Sequence, residues 1–440
     1  MTADPTSTTT IGIEQPGPEG RPTGAPLGRT TAPPLRRVAL VTYGFEYGGG
    51  VRTVAQWLWD GLLATGRYSV AMHDLATFSR DTSSRRLMVP TSWLRRDLRT
   101  VGPGGWYTHW GANAVELEIM RYRPRRQLTA ALRDADIVQV VSGAPACAAP
   151  VVRAGVPVVL QVASLVGWER PALLASLPPA RRAWCRWMTR LVSRVERDVL
   201  SRVDAVLVEN AALAEHVRSV SRTRLLVAPP GVDTDRFVPA PDGWRRDGYL
   251  LSVCRMSDPR KGLDRLILAY AEMRRLQPSI GPLVLAGRHR PEPSLLRTID
   301  RLGLRDRVLI RSEVPAAELV AVYQGAAAFL QTSHEEGLGI SVLEAMACGL
   351  PVVATETNGT VETVRHGETG WLVPQGPAPR VAIEVAERTL DLLTGRGADF
   401  GSRGRVRCLR KFSSAVALKR FTDVYDRLAP VRRAGGPDAG

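Results

Sequence analysis

The sequence predicts an α/β protein made of two doubly wound, Rossmann-like domains that face an interdomain cleft. Three observations predict it. Short β-branched runs alternate with longer amphipathic stretches, the alternation breaks once at a polar linker, and it then restarts. Strands alternating with helices give parallel sheets covered on both faces. Ligands of such sheets bind outside the carboxyl ends of the strands, here most naturally in the cleft. The 440 residues, 44% of them hydrophobic, suffice for two or three domains at about 100–200 residues each.

Taken in order, residues 1–36 are rich in Pro, Thr and Gly without apolar periodicity and read as a disordered arm. Residues 37–237 form the first domain, with strands expected at Val38–Thr42, Ser69–Met72, Asp136–Val141, Val156–Val162, Asp204–Val208 and Leu225–Ala228. The stretch from Val238 to Asp247 is polar and contains Pro, as a linker does. The second domain, 238–412, has its runs at Tyr249–Val253, Leu283–Ala286, Arg307–Ile310, Ala328–Gln331, Val352–Ala354 and Trp371–Val373. Ser413–Leu428 has a helical pattern, and Arg432–Gly440 reads as a frayed end.

Fifty-nine Lys and Arg against 43 Asp and Glu give a net charge of +16. That balance suits nucleic acid, an anionic membrane surface or phosphorylated substrates, and equally an ordinary solvated basic surface. No nucleic-acid recognition motif accompanies it, so no nucleic-acid partner is expected. Cys147, Cys185, Cys254, Cys348 and Cys408 are scattered and form no C-x-x-C pair. This argues against a disulfide framework or zinc site and for a reducing compartment. No signal-peptide pattern opens the chain, and no run approaches the ~20 apolar residues of a membrane span. A cytoplasmic protein is expected, with peripheral contact to the inner face of a membrane as a further option. That option rests on residues 181–202. Trp184, Trp187, Met188, Leu191, Val195 and Val199 lie there at helical spacing, opposite Arg182, Arg186, Arg190, Arg194 and Arg197. A basic amphipathic helix can lie on anionic lipid. The plainer reading is a helix packed on the sheet with a solvated basic face.

Two segments carry the chemistry. Glu336 and the loop Gly337-Leu338-Gly339 follow one apolar run and open a helix that holds Val342, Leu343 and Glu344. Glycines let backbone N–H groups approach a ligand, and a helix N-terminus favours negative charge. Ionised carboxylates are strong acceptors for sugar hydroxyls. Upstream, Arg255 and Lys261 follow the strand Tyr249–Val253. A forked guanidinium and a point ammonium at a strand's carboxyl end suit two adjacent phosphates. A third loop, Tyr43 to Arg52, places Gly48, Gly49 and Gly50 after the first strand. Asp233 and Asp235 form an Asp-x-Asp, but their setting favours a capped turn over a metal site, and no metal is expected.

The spacing of Glu336 and Glu344, with the residues around it, resembles the Glu-x(7)-Glu motif of retaining glycosyltransferase family 4 (glycosyl transferases group 1), which has the GT-B fold. The resemblance runs from about Arg37 to Leu428. It implies transfer of a sugar from a UDP- or GDP-sugar to an acceptor hydroxyl on a small molecule, lipid or glycan. It implies no cofactor, the nucleotide sugar being substrate. Arg255 and Lys261 would clamp the diphosphate and Glu336 would orient the sugar. The donor would also meet Gly49, Gly50, Gly337, Leu338, Gly339, Val342 and Leu343, with Glu344 on the ribose. By the same resemblance, residues 413–430 would form a helix packing back on the first domain, and Glu362 would sit near the cleft. Ala163 or Gln161 stands where the family often has a histidine, which leaves the acceptor side open; His73, at the end of the second strand, could intrude there, though a lone His is more often structural. A nucleotide-sugar 2-epimerase on the same fold and a non-catalytic partner subunit are the alternative readings.

Overall fold

The computed structural model describes residues 35–45, 49–76, 81–94, 98–102 and 105–429. The expected arm up to residue 34, Gly48 and the frayed end from 430 onward lie outside the described residues.

The first sheet has eight strands: β1 (Arg36–Tyr43), β2 (Tyr68–Leu75), β3 (Leu98–Gly102), β4 (Gly105–Trp110), β5 (Ile137–Ser142), β6 (Val158–Val162), β7 (Ala205–Val208) and β8 (Arg224–Val227). Their order is β3-β4-β2-β1-β5-β6-β7-β8. All neighbours are parallel except β3 with β4. The second sheet is parallel throughout, in the order β11-β10-β9-β12-β13-β14. Its strands are β9 (Tyr249–Arg255), β10 (Leu283–Arg288), β11 (Val308–Ser312), β12 (Ala326–Gln331), β13 (Val352–Thr355) and β14 (Trp371–Val373).

The twelve expected runs all became strands, because central parallel strands are covered on both faces and read as unbroken apolar runs. Every residue of β5, β6, β7 and β12 is buried. The antiparallel pair β3–β4 was not expected. Its sequence mixes Arg, Thr, Gly and aromatics and so carries no such run. Strand β1 begins at Arg36, two residues earlier than expected, and Arg36 is buried against Asp426 at 2.7 Å.

The chain crosses between the sheets twice, and the crossings lie side by side. The Val232 N–H donates to the Phe412 carbonyl at 2.8 Å, and the Ser414 N–H donates back to Val232 at 3.0 Å. The helix Ser414–Leu428 then packs on the first sheet. Phe421, Val424 and Tyr425 join the core around Leu40, Leu58 and Val159, and the Tyr425 hydroxyl donates to Gln139 Oε1 at 2.8 Å.

The basic segment is the helix Pro179–Leu200. Met188, Val192 and Val199 are buried, whereas Trp184 and Trp187 are 57% and 48% exposed with ring centroids 5.0 Å apart. The expected apolar face is therefore divided: part joins the sheet and the tryptophans face out beside exposed Arg181, Arg186, Arg190 and Arg194. Among the described residues, no helix is long and apolar enough to cross a membrane. All five cysteines are unpaired.

Candidate active site

Strand β9 delivers Arg255 at its carboxyl end, and one turn of 3-10 helix, Pro259–Lys261, presents Lys261. Asp258 caps that turn by accepting from the Arg260 N–H at 3.1 Å. Gly262 ends it with φ 58°, and a Cβ there would overlap the Thr332 carbonyl oxygen. Only glycine tolerates both conditions, so Gly262 fixes where Lys261 points.

Lys261 Nζ lies 2.6 Å from Glu336 Oε2, with both side chains about 15% exposed (15% and 16%). The same oxygen accepts from Gln331 Nε2 at 2.9 Å and from Ser333 Oγ at 3.4 Å. Arg255 pairs with Asp258 at 3.1 Å. Burial raises the Asp258 carboxyl, but the Arg260 hydrogen bond and the charges of Arg260, Arg255 and Lys261 outweigh it and hold it below its usual range. Sequence reasoning gave Arg260 no role. It bridges the cleft, pairing with Asp258 at 2.9 Å, Glu335 at 3.4 Å and Glu169 of the first half at 3.2 Å.

The glycine loops meet these groups from both sides. A Cβ on Gly49 would sit 3.6 Å from the Arg255 guanidinium carbon, and one on Gly50 would meet open space. Gly337 is pressed against the first half: a Cβ would come 2.7 Å from the Ala163 carbonyl oxygen, and its own carbonyl accepts from Asn210 Nδ2 at 2.8 Å. Gly339, with φ 85°, precedes the helix Ile340–Ala347.

The structure divides the remaining expected donor residues. Leu338, Val342 and Leu343 are at most 2% exposed and pack in the second core. The N–H groups of Val342 and Leu343 donate to Gly339. Their side chains are therefore closed off, and only the backbone before them is left for a ligand to approach. Glu344 is not joined to the Lys261–Glu336 cluster; its Oε2 accepts from the Tyr323 hydroxyl at 2.7 Å. Burial pushes the Glu344 carboxyl up to about 7, yet the residue keeps partial solvent access.

Other expectations resolve locally. Glu362 ties the two halves together, accepting from the Ala211 N–H at 3.0 Å. Asp233 Oδ1 accepts from the N–H groups of Asp235 and Arg236 at 3.1 and 3.0 Å, an ordinary capped turn. His73 is a core residue. It accepts from Trp110 Nε1 at 3.1 Å, and burial pushes it down to about 4, so it is uncharged. Sequence reasoning missed Glu169, Glu209 and Glu335. Glu335 accepts from Ser164 Oγ across the cleft at 3.0 Å. Its adjacency to Glu336 was the available signal; nothing in one sequence marks Glu209 or Glu169.

Two family models divide the chain between them. Residues 112–236 match Glycosyltransferase Family 4, and residues 241–396 match Glycosyl transferases group 1. The GDP-mannose-dependent alpha-(1-6)-phosphatidylinositol monomannoside mannosyltransferase of Mycolicibacterium smegmatis is 35% identical over 257 residues, covering 54% of this chain and 62% of that protein. The D-inositol 3-phosphate glycosyltransferase of Acidothermus cellulolyticus is 33% identical over 230 residues, covering 48% and 50%. The chain thus spans between half and two thirds of these relatives' lengths. Among solved structures, sucrose-phosphate synthase from Thermosynechococcus elongatus superposes with a TM-score of 0.66 at 21% identity, covering 89% of this chain and 99% of that one. HepE from Anabaena, solved with UDP-glucose, gives 0.63 at 16% identity over 89% and 100%. Sequence models on both halves and this architecture agree: the chain belongs to the GT-B glycosyltransferases of the family 4, group 1 type.

Proposed function

We propose that the protein transfers a sugar, with retention at the anomeric carbon and without a metal, from a nucleotide-diphosphate sugar to an acceptor hydroxyl. The observation that carries this reading is the Lys261–Glu336 contact of 2.6 Å at the carboxyl ends of β9 and β12. An ammonium held by one carboxylate and flanked by a guanidinium is ready to exchange that partner for phosphate oxygens. Arg255 and Lys261 would neutralise charge on the departing diphosphate, which is electrostatic stabilisation of the transition state. Glu336, released from Lys261, and the backbone of Gly337–Gly339 would orient the sugar. Glu344 would accept from ribose hydroxyls. The acceptor would attack the face from which the diphosphate leaves, its proton passing to a phosphate oxygen. Bridges such as Arg260–Glu169 and Asn210–Gly337 would hold the cleft shut and limit hydrolysis.

The relatives' names give the first compounds to test: GDP-mannose as donor, and inositol phosphate or its lipid form as acceptor. The net charge of +16 suits such an anionic acceptor. Saturating GDP-mannose or UDP-glucose is expected to raise the melting temperature. At a hundred times Kd the gain is about 2.7 kcal/mol. A full panel of nucleotide sugars that leaves the melting curve unmoved would remove the donor assignment.

A lipid acceptor would bring the protein to a membrane, and the exposed Trp184–Trp187 pair among arginines favours that arrangement. Tryptophan prefers the interface and arginine the anionic headgroup. The wild type is expected to float with vesicles containing phosphatidylglycerol and not with pure phosphatidylcholine. Replacing both tryptophans by alanine should weaken flotation about tenfold and leave transfer to a water-soluble acceptor unchanged. Equal flotation of variant and wild type would exclude this helix as the contact.

A further inference from the structure

Glu209 follows β7 at the carboxyl edge of the first sheet and is 4% exposed. Its Oε1 accepts from Gln161 Nε2 at 2.7 Å. Its Oε2 faces the donor loop: a Cβ on Gly337 would lie 3.2 Å from it and 3.2 Å from the Ala163 Cβ. The carboxyl therefore shares one wall with the residue that stands where the family often has a histidine. No cation faces it. The charged groups around it are Glu335 and Glu336, both acidic, and burial followed by their charges pushes it up to about 8, against the Gln161 hydrogen bond. At neutral pH it is a carboxylic acid, able to donate one hydrogen bond and accept others.

Orphaned acceptors accompany it. Gln161 Oε1 and Gln331 Oε1 are buried without a hydrogen-bond partner. Gln161 sits on Glu209, and Gln331 sits on Glu336. Buried polar atoms are normally paired, and unpaired ones beside a binding loop mark where a ligand completes the set. The missing complement is a group of hydroxyls: neutral, able to donate to amide oxygens and to pair with a carboxylic acid. A phosphate, which only accepts, would be repelled by Glu335 and Glu336.

We propose that Glu209, backed by Gln161, reads a hydroxyl of the transferred sugar and so sets donor specificity. This rests on the nucleotide-sugar reading above. A site built to pair a hydroxyl discriminates strongly, because its own buried groups are left unpaired otherwise.

The test compares whole donor with bare nucleotide. In Glu209→Ala, calorimetric affinity for GDP and UDP should stay within about twofold of wild type, while kcat/KM for GDP-mannose or UDP-glucose, whichever the wild type uses, falls about 10- to 100-fold. Glu209→Gln, which keeps the shape and the hydrogen bonds, should recover most of that loss. In the wild type, donor affinity should weaken as pH rises through about 8, where the acid ionises beside Glu335 and Glu336; in Glu209→Gln this dependence should vanish. Wild-type kcat/KM in Glu209→Ala overturns the proposal and leaves the nucleotide-sugar reading intact. Equal loss of nucleotide and donor binding also overturns it, showing a structural role. A wild type that binds neither nucleotide nor any nucleotide sugar overturns both readings.

Discussion

Lys261→Ala is expected to lower transfer by about a thousandfold while shifting the melting temperature by only a few degrees. Removing one preorganised group that stabilises transition-state charge costs about 10²–10³ in kcat. Lys261 has a stronger case than that average. It is a full charge, about 15% exposed, and Arg255, the other expected clamp cation, already pairs with Asp258 at 3.1 Å. Arg260 cannot step in, because Asp258, Glu169 and Glu335 hold it across the cleft. The cost to folding is smaller. Glu336 keeps Gln331 and Ser333 as donors, and it retains enough exposure to be hydrated. Initial rates with a donor that stabilises the wild type, alongside melting curves, separate the two effects. Wild-type turnover would sink the clamp assignment. Lys261→Arg should recover little, since a planar fork does not reproduce the compact charge that Glu336 holds at 2.6 Å.

Much of this candidate site was legible because its charged residues are local in sequence. Arg255 and Lys261 lie within one strand-to-turn segment, and Glu336 lies within one loop. Their contact across 75 positions follows from β9 and β12 being neighbours in the sheet. What could not be read is what only the folded pair of halves creates. Ser164 and Glu169 from one segment of the first half, and Glu209 and Asn210 from another, meet Gly337, Glu335 and Arg260 of the second. No spacing within one chain segment encodes such meetings. The same limit divided the basic helix. Its apolar spacing was visible, but which of its apolar residues the sheet would cover depended on the neighbour, and Trp184 and Trp187 were left outside.

The largest stability effect is expected at a cluster whose three titratable residues belong to none of the motifs. His109 on β4 sits between two carboxylates, with Nδ1 2.7 Å from Asp74 and Nε2 2.6 Å from Asp81, all at most 6% exposed. Asp74 also accepts from the Phe45 N–H at 2.9 Å, and Asp81 accepts from Ser84 Oγ at 2.6 Å. Burial alone would lower the His109 pKa, but hydrogen bonds to both aspartates outweigh it and raise it to about 10. The imidazolium is therefore the buried countercharge of two acids. His109→Ala would leave those acids facing each other without it, a defect worth about 3–5 kcal/mol. The pH dependence has a definite sign. A histidine whose folded pKa lies above its ordinary 6.5 contributes fully below that value and loses its contribution as pH rises through about 10. Asp81 is shifted the other way: burial raises it, but the His109 and Ser84 hydrogen bonds prevail and hold it below its ordinary 3.8. Its contribution is present above that value and fades as pH falls further. The stability gap between wild type and His109→Ala, measured by urea unfolding, should thus be widest between about pH 4 and 6.5 and should narrow steadily toward pH 10. A gap under about 1 kcal/mol, or one that does not change with pH, would show that the cluster is held by packing and not by charge. Because Asp74 also fixes the backbone at Phe45, inside the glycine loop, the same variant should lose affinity for nucleotide as the first strand's carboxyl end loosens.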